Sequence, residues 1–234
     1  MNDSPVTIEN TENVATVFLD DGKANALGYQ VIDALLEAFD EVETSDANAL
    51  VLAGRPDRFS AGFDLSVMNE GSDAARGMLT KGVDLFLRMY MFSRPVVSAC
   101  TGHAIAAGSI LLLCSDLRVG SEGDFKVGLP EVTIGMALPF FATELARDRL
   151  SKRHYTKATA LGSMYSPEGA VDAGFLDEVV PQEKVISIAQ ERARSLSEVG
   201  RTALTRTRET TRGQIARTIK ESLSQDLSKF DVNS

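Results

Sequence analysis

Two short stretches rich in alanine and glycine constrain this chain more than any other feature: Phe59 to Leu65 (FSAGFDL) and Gly102 to Ser109 (GHAIAAGS). Each follows a strongly apolar, strand-like run, Ala49 to Gly54 (ALVLAG) before the first and Pro95 to Cys100 (PVVSAC) before the second. A main-chain N–H can point into a cavity only where side chains are small and the chain turns sharply. The second stretch leads into an apolar helix-like run, Ser109 to Cys114. A helix start leaves unpaired N–H donors at the positive end of a dipole. Two such donors aimed at one point would stabilise an oxyanion, either an enolate or a tetrahedral intermediate. The plainer reading is that helix and sheet pack closely here, as in any α/β protein, and small residues alone do not separate the two.

Around these corners the pattern alternates. Val6 to Ile8 and Val14 to Leu19 read as a two-stranded hairpin, followed by a loop from Lys23 to Leu27. Val31, Leu35, Phe39 and Val42 mark the apolar stripe of a helix over about 30–42. Asn69 to Arg76 is polar and reads as a mobile loop, with Ser72 placed to cap a helix over about 74–92. Short strands are expected over 116–120 and 125–127, and helices over about 140–149, 151–160 and 167–173. A strand over 178–180 precedes Pro181, which suits the start of a helix reaching about Ser197, and a last helical region runs from Arg201 to Lys229. Strands and helices therefore alternate over most of the chain and helices alone fill the end. No repeat of fixed period is visible.

Composition narrows the function. A net charge of −9 on 234 residues argues against a nucleic-acid or anionic-membrane surface. No apolar run approaches the ~20 residues of a membrane span, and the acidic start of the chain is unlike a signal peptide, so a cytoplasmic protein is expected. Cys100 and Cys114 sit in apolar runs and read as buried thiols; with only His103 and His154 besides, no zinc spacing exists and no metal is expected. One segment is locally basic: Arg201, Arg206, Arg208, Arg212, Arg217 and Lys220 stand against Glu209. It is either a solvated helix face or a site for a phosphate-bearing ligand or a neighbouring subunit.

Taken together, GKANAL at 22–27, RFSAGFDL at 58–65, RPVVSACTGHAIAAGS at 94–109, CSDLRVG at 114–120, GLPEVTIGMALP at 128–139 and GSMYSPEGAVDAGFLDEVVP at 162–181 resemble the crotonase (enoyl-CoA hydratase/isomerase) superfamily. The resemblance covers nearly the whole chain. It implies an α/β spiral of ββα units over 1–195, carrying the CoA-ester site, and a C-terminal α-helical trimerisation region over 196–234 that builds homotrimers or hexamers. It implies an acyl-CoA thioester as substrate and no cofactor. The oxyanion donors would be the N–H groups of Phe63 and Ala107, with the adenine received near Ala61 and Lys23 near the CoA phosphates. Gly62, Asp64, Leu65, Gly108, Ile110, Pro139 and Phe140 complete the expected substrate-binding set, although Asp64 also reads as a brace for its own loop.

Hydratases of this superfamily place two glutamates about the double bond. Here one position matches Glu131 and the other is Ile110. A single carboxylate manages a water and both its protons poorly, but it can take a proton from C2 of a 3-enoyl thioester and return it at C4. Apolar neighbours Leu129, Val132, Ile134 and Met136 favour a raised pKa at Glu131; otherwise it is a structural carboxylate capping an N–H. Phe140-Phe141 replaces the glycine-rich turn common in hydratases and could narrow the acyl pocket. Proton transfer of the isomerase/hydratase type is the first reading. A CoA-ester-binding protein without chemistry, or a CoA-thioester hydrolase, is the alternative.

Overall fold

The computed structural model describes residues 4–228. It opens with the hairpin of β1 (Val6–Thr11) and β2 (Val14–Leu19), then a two-residue strand β3 (Ala26–Leu27) and α1 (Tyr29–Thr44). Next come β4 (Ala49–Gly54), β5 (Asp57–Ser60), β6 (Gly62–Phe63), α2 (Leu65–Met68) and α3 (Ser72–Tyr90). The following unit is β7 (Val96–Cys100), β8 (Gly102–Ile105) and α4 (Ala107–Cys114). The next is β9 (Leu117–Ser121), β10 (Val127–Gly128), a 3-10 turn at Glu131–Ile134 and α5 (Phe140–Arg149). The chain closes with α6 (Lys152–Thr159), β11 (Met164–Tyr165), α7 (Pro167–Ala173), β12 (Glu178–Val180), α8 (Val185–Leu196), α9 (Arg201–Thr211) and α10 (Gly213–Ser228).

The repeat that the sequence hides is plain in this order. β4, β7 and β9 each join one sheet, ordered β1-β2-β4-β7-β9-β12, while their successors β5, β8 and β10 join a second, ordered β11-β10-β8-β5. A helical segment then returns the chain. Each turn of the spiral thus lays down one strand per sheet. Insertions such as α3 vary the length of a turn, so no fixed period survives in residues.

The strands from β2 to β12 of the large sheet run parallel, and parallel sheets are covered on both faces. β4 shows how. Ala49, Val51 and Ala53 face one way and pack with Val185, Ala189 and Ala193 of α8. Leu50 and Leu52 face the other way, into the main core with Phe39, Phe86 and Leu111. Small side chains thus let α8 approach, and large ones fill the thicker side.

Several expectations shift. The loop over 23–27 contains β3, paired with β6 through Ala26↔Gly62 and Leu27↔Phe63. Ser72 does not cap: it is the first residue of α3, whose cap is Gly71 with no side-chain bond, so the polar connection is shorter. Pro181 precedes a 3-10 turn at Gln182–Lys184 and α8 begins after it. The final region is two helices, and Lys229 lies outside the described residues.

The basic segment is not simply a solvated face. Arg208 is 3% exposed; it pairs with Asp116 and donates to Arg94 O at 3.0 Å. Arg212 reaches the other oxygen of Asp116 at 3.0 Å and Tyr90 O at 2.9 Å. Burial alone would raise the Asp116 pKa, but Arg208 and Arg212 together with the Val96 N–H hold it below the usual carboxylate range. These cations fasten α9 and α10 to the spiral.

Candidate active site

The first corner is held from below by a buried amide. Asn25 donates to Leu19 O at 2.8 Å and to Arg58 O and Phe59 O at 3.2 Å each. Ser60 donates to Asn25 O at 2.7 Å and accepts from Gly62 N at 3.2 Å. Asp64 then caps α2, accepting from Ser66 N at 2.9 Å, which is its bracing role. Neither Asn25 nor Ser60 was singled out from the sequence. A polar residue flanked by alanines in KANAL was the available signal.

The second corner meets the first through backbone. Gly62 has φ +93°, and a Cβ there would lie 2.9 Å from Ile105 O and 3.2 Å from Ala107 N. Only glycine brings the two segments this close without strain. Ala106, just before α4, has φ 54° and ψ −124°, a conformation costing a non-glycine residue about 1–3 kcal/mol. Its N–H donates to Gly128 O at 2.9 Å. Ser109 N and Ile110 N both donate to Ala106 O, at 2.8 and 3.2 Å, which leaves the Ala107 N–H outside the helix's own ladder. The strained turn at Ala106 therefore places the first N–H of α4, that of Ala107, beside Gly62.

Both corners open on a cavity of about 190 Å³ lined by Ala61, Phe63, Leu65, Ile105, Ala106, Ala107, Ile110 and Pro139 among others. Among the described residues, Glu131 supplies its one ionisable side chain. As a residue it is half-buried, but its Oε2 is screened from solvent and has no hydrogen-bond partner among the described residues. Burial pushes its carboxyl up from 4.5 to about 7, against a small opposing effect of its own backbone N–H. Among the described residues, no basic side chain lines the cavity. Ile110, 1% exposed, occupies another part of the wall and offers no second carboxylate.

Five of the expected substrate-binding residues do not line this cavity. Gly108 packs on the neighbouring strand, where a Cβ would stand 2.3 Å from Ser60 O. Gly62 is buried in the junction of the corners. Asp64 caps α2, and Phe140 turns its N–H to Asp226 at 2.9 Å while Phe141 faces the cavity instead. Lys23 lies in a separate polar groove with Asp20, Asp21 and Asp64. Missed by the sequence reading were Met68 and Leu79, contributed by α2 and α3.

Two other candidates fall away from the chemistry. Ser109 bridges backbone, donating to Ala104 O at 2.6 Å and accepting from Gly128 N at 2.9 Å. His103 accepts from Lys126 N at 3.0 Å and stacks edge-on to Phe125; burial, then Arg58, lowers its pKa. Among the described residues, no cluster of three or more His, Cys, Asp or Glu side chains could hold a metal ion, and no helix is long and apolar enough to cross a membrane.

A family model described as enoyl-CoA hydratase/isomerase matches residues 9–232. The chain belongs to this family. Among relatives of the enoyl-CoA hydratase/isomerase family, the mouse mitochondrial enoyl-CoA delta isomerase 1 is 30% identical over 79% of the chain. A putative enoyl-CoA hydratase of Thermus thermophilus is 30% identical over 84% of the chain and 79% of its own length. The chain spans about 60–65% of the length of the mammalian mitochondrial relatives it matches. A Mycobacterium tuberculosis enoyl-CoA isomerase structure superposes with a TM-score of 0.92 at 36% identity, covering 97% of this chain and 99% of that one. The human mitochondrial Δ3-Δ2-enoyl-CoA isomerase gives 0.92 at 25% identity, covering 97% and 90%. The spiral of strand–strand–helix units is the crotonase fold.

Proposed function

We propose that the chain is an acyl-CoA enzyme that shifts a double bond from C3–C4 to C2–C3 of an enoyl thioester. The thioester oxygen lies between the N–H groups of Phe63 and Ala107, and Glu131 is the lone acid/base. The carboxylate removes a proton from C2, and the electron pair of that C–H bond delocalises through the C3–C4 double bond onto the thioester oxygen as a dienolate. The same carboxyl then delivers the proton to C4, leaving the double bond at C2–C3. No water enters the products, so one carboxylate is enough. Each oxyanion donor is worth about 3–4 kcal/mol of barrier in comparable sites.

The observation that carries this reading is the state of Glu131: a buried carboxyl with one unpartnered oxygen and a pKa of about 7 on an otherwise apolar wall. Such a group both takes and returns a proton near neutrality. Ile110 favours isomerisation over hydration, because it offers no second carboxylate to position a water. The isomerases named among the relatives agree with that preference, and the hydratases named there leave hydration as the competing outcome.

The test is isotopic. Incubated with 3-hexenoyl-CoA in deuterated water, the protein is expected to form 2-hexenoyl-CoA with deuterium appearing at C2 or C4. Glu131→Gln is expected to abolish both while CoA-ester affinity stays within a few fold. Unchanged exchange in that variant would remove Glu131 as the base. Uptake of water with no isomer formed would replace isomerisation by hydration, and no exchange with any enoyl-CoA would favour a pure binder.

A further inference from the structure

The acyl end of the cavity holds information beyond the reaction. Exposure separates its two ends. Leu65 and Ile134 are 60% and 64% exposed and form its rim, while Leu79 and Phe141 are 2% and 3% exposed and close it. Leu79 is buried yet, among the described residues, belongs to neither hydrophobic cluster of the core. Its side chain faces the cavity instead. Among the described residues, every side chain on the wall apart from Glu131 is aliphatic, aromatic, methionine or proline. A carboxylate at the far end of an acyl chain would be desolvated there with no partner.

One turn along α3 from Leu79 stands Gly82. A Cβ on it would lie 2.4 and 2.5 Å from Cε1 and Cζ of Phe63. The Phe63 ring therefore rests on bare helix backbone, edge-on to Phe86 at 5.9 Å. Any side chain at this position drives the ring away from α3, toward the cavity that it lines. Leu79 and Gly82 thus bound the same space, one as its floor and the other by the room it leaves.

An apolar cavity of about 150 Å³ accommodates the six carbons of benzene, so about 190 Å³ holds roughly eight carbons at similar packing. We propose that the site accepts an uncharged hydrocarbon acyl chain of about six to eight carbons, and that Leu79 and Gly82 of α3 set that limit. The proposal rests on the acyl-CoA reading above, but it concerns binding and not proton transfer.

Calorimetric binding of saturated thioesters by the full chain separates the two. The probes are butyryl-, hexanoyl-, octanoyl- and dodecanoyl-CoA, with adipyl-CoA as the carboxylated six-carbon chain. Affinity is expected to rise to octanoyl and gain nothing at dodecanoyl, and hexanoyl is expected to bind at least 30-fold tighter than adipyl. Leu79→Ala is expected to raise the dodecanoyl-to-hexanoyl affinity ratio at least fivefold, and Gly82→Ala to lower the octanoyl-to-butyryl ratio at least fivefold. Steadily rising affinity through dodecanoyl in the wild type, adipyl within threefold of hexanoyl, or variants that move neither ratio would overturn the proposal. Selective binding without deuterium exchange would leave it standing and overturn only the assigned reaction. Failure to bind any acyl-CoA would overturn both.

Discussion

Replacing Glu131 by Gln should make this protein's stability fall less between acidic and neutral pH while removing its proposed base. The folded carboxyl keeps its proton to about pH 7, whereas the unfolded chain loses it near 4.5. Between those values the folded state binds more protons, so this group's contribution to stability falls as pH rises through the window and is constant above it. At 1.36 kcal/mol per decade of proton affinity, the difference between 4.5 and about 7 amounts to about 3 kcal/mol. Glutamine carries no such dependence. Fixed differences between the two side chains, such as an amide hydrogen bond made or lost, shift both ends of the curve equally and cancel. The measurement is urea unfolding of wild type and Glu131→Gln at equal protein concentration from pH 4.5 to pH 8, comparing midpoints at constant slope. The stability difference should move in favour of the variant by about 3 kcal/mol across that range, or about 6–12 °C in Tm for a chain of this size. A difference that stays flat with pH would refute the claim that burial in an apolar setting holds this carboxyl protonated.

The same carboxyl should impose an apparent pKa of about 7 on kcat/KM, with activity falling tenfold per unit below it; a profile flat to pH 5 would exclude Glu131 as the base. Ala106→Gly should stabilise the fold by about 1 kcal/mol, because relief of about 1–3 kcal/mol of strain exceeds the unfolded-state entropy cost of about 0.4–1 kcal/mol; a lower Tm in that variant would contradict the strain assigned to the corner. Asp116→Asn should cost about 3–5 kcal/mol by stranding Arg208 and Arg212. Because the Asp116 pKa is depressed when folded, this loss should be full above pH 4 and shrink as pH falls further, which acid-range unfolding would check.

Much of the site was legible because small residues and lone charges are conspicuous in an apolar background. Glu131 stood out for that reason, as did the two small-residue corners; Phe63, Ala107 and Ile110 were named only through the family resemblance, and all four line one cavity. Leu79 and Gly82 did not stand out. A leucine and a glycine inside a helix look alike whether they face core, solvent or a void, and only the partner they meet gives them a role. Arg208 misled for the opposite reason: in sequence it belongs to a basic run, but in space it meets Asp116, 92 residues earlier in the bend before β9.

From its own order of residues this chain determined which segments are buried strands, where the backbone turns on small residues, and that a single carboxylate sits among apolar neighbours. Those follow from local chemistry: periodicity, steric size, and the absence of charge nearby in the chain. The tertiary structure alone decided that the two corners touch, that Phe141 and not Phe140 lines the cavity, and that α3 brings Leu79 to its wall. Each depends on contacts between residues far apart in sequence, brought together by a spiral whose repeat exists in space and leaves no period in the chain.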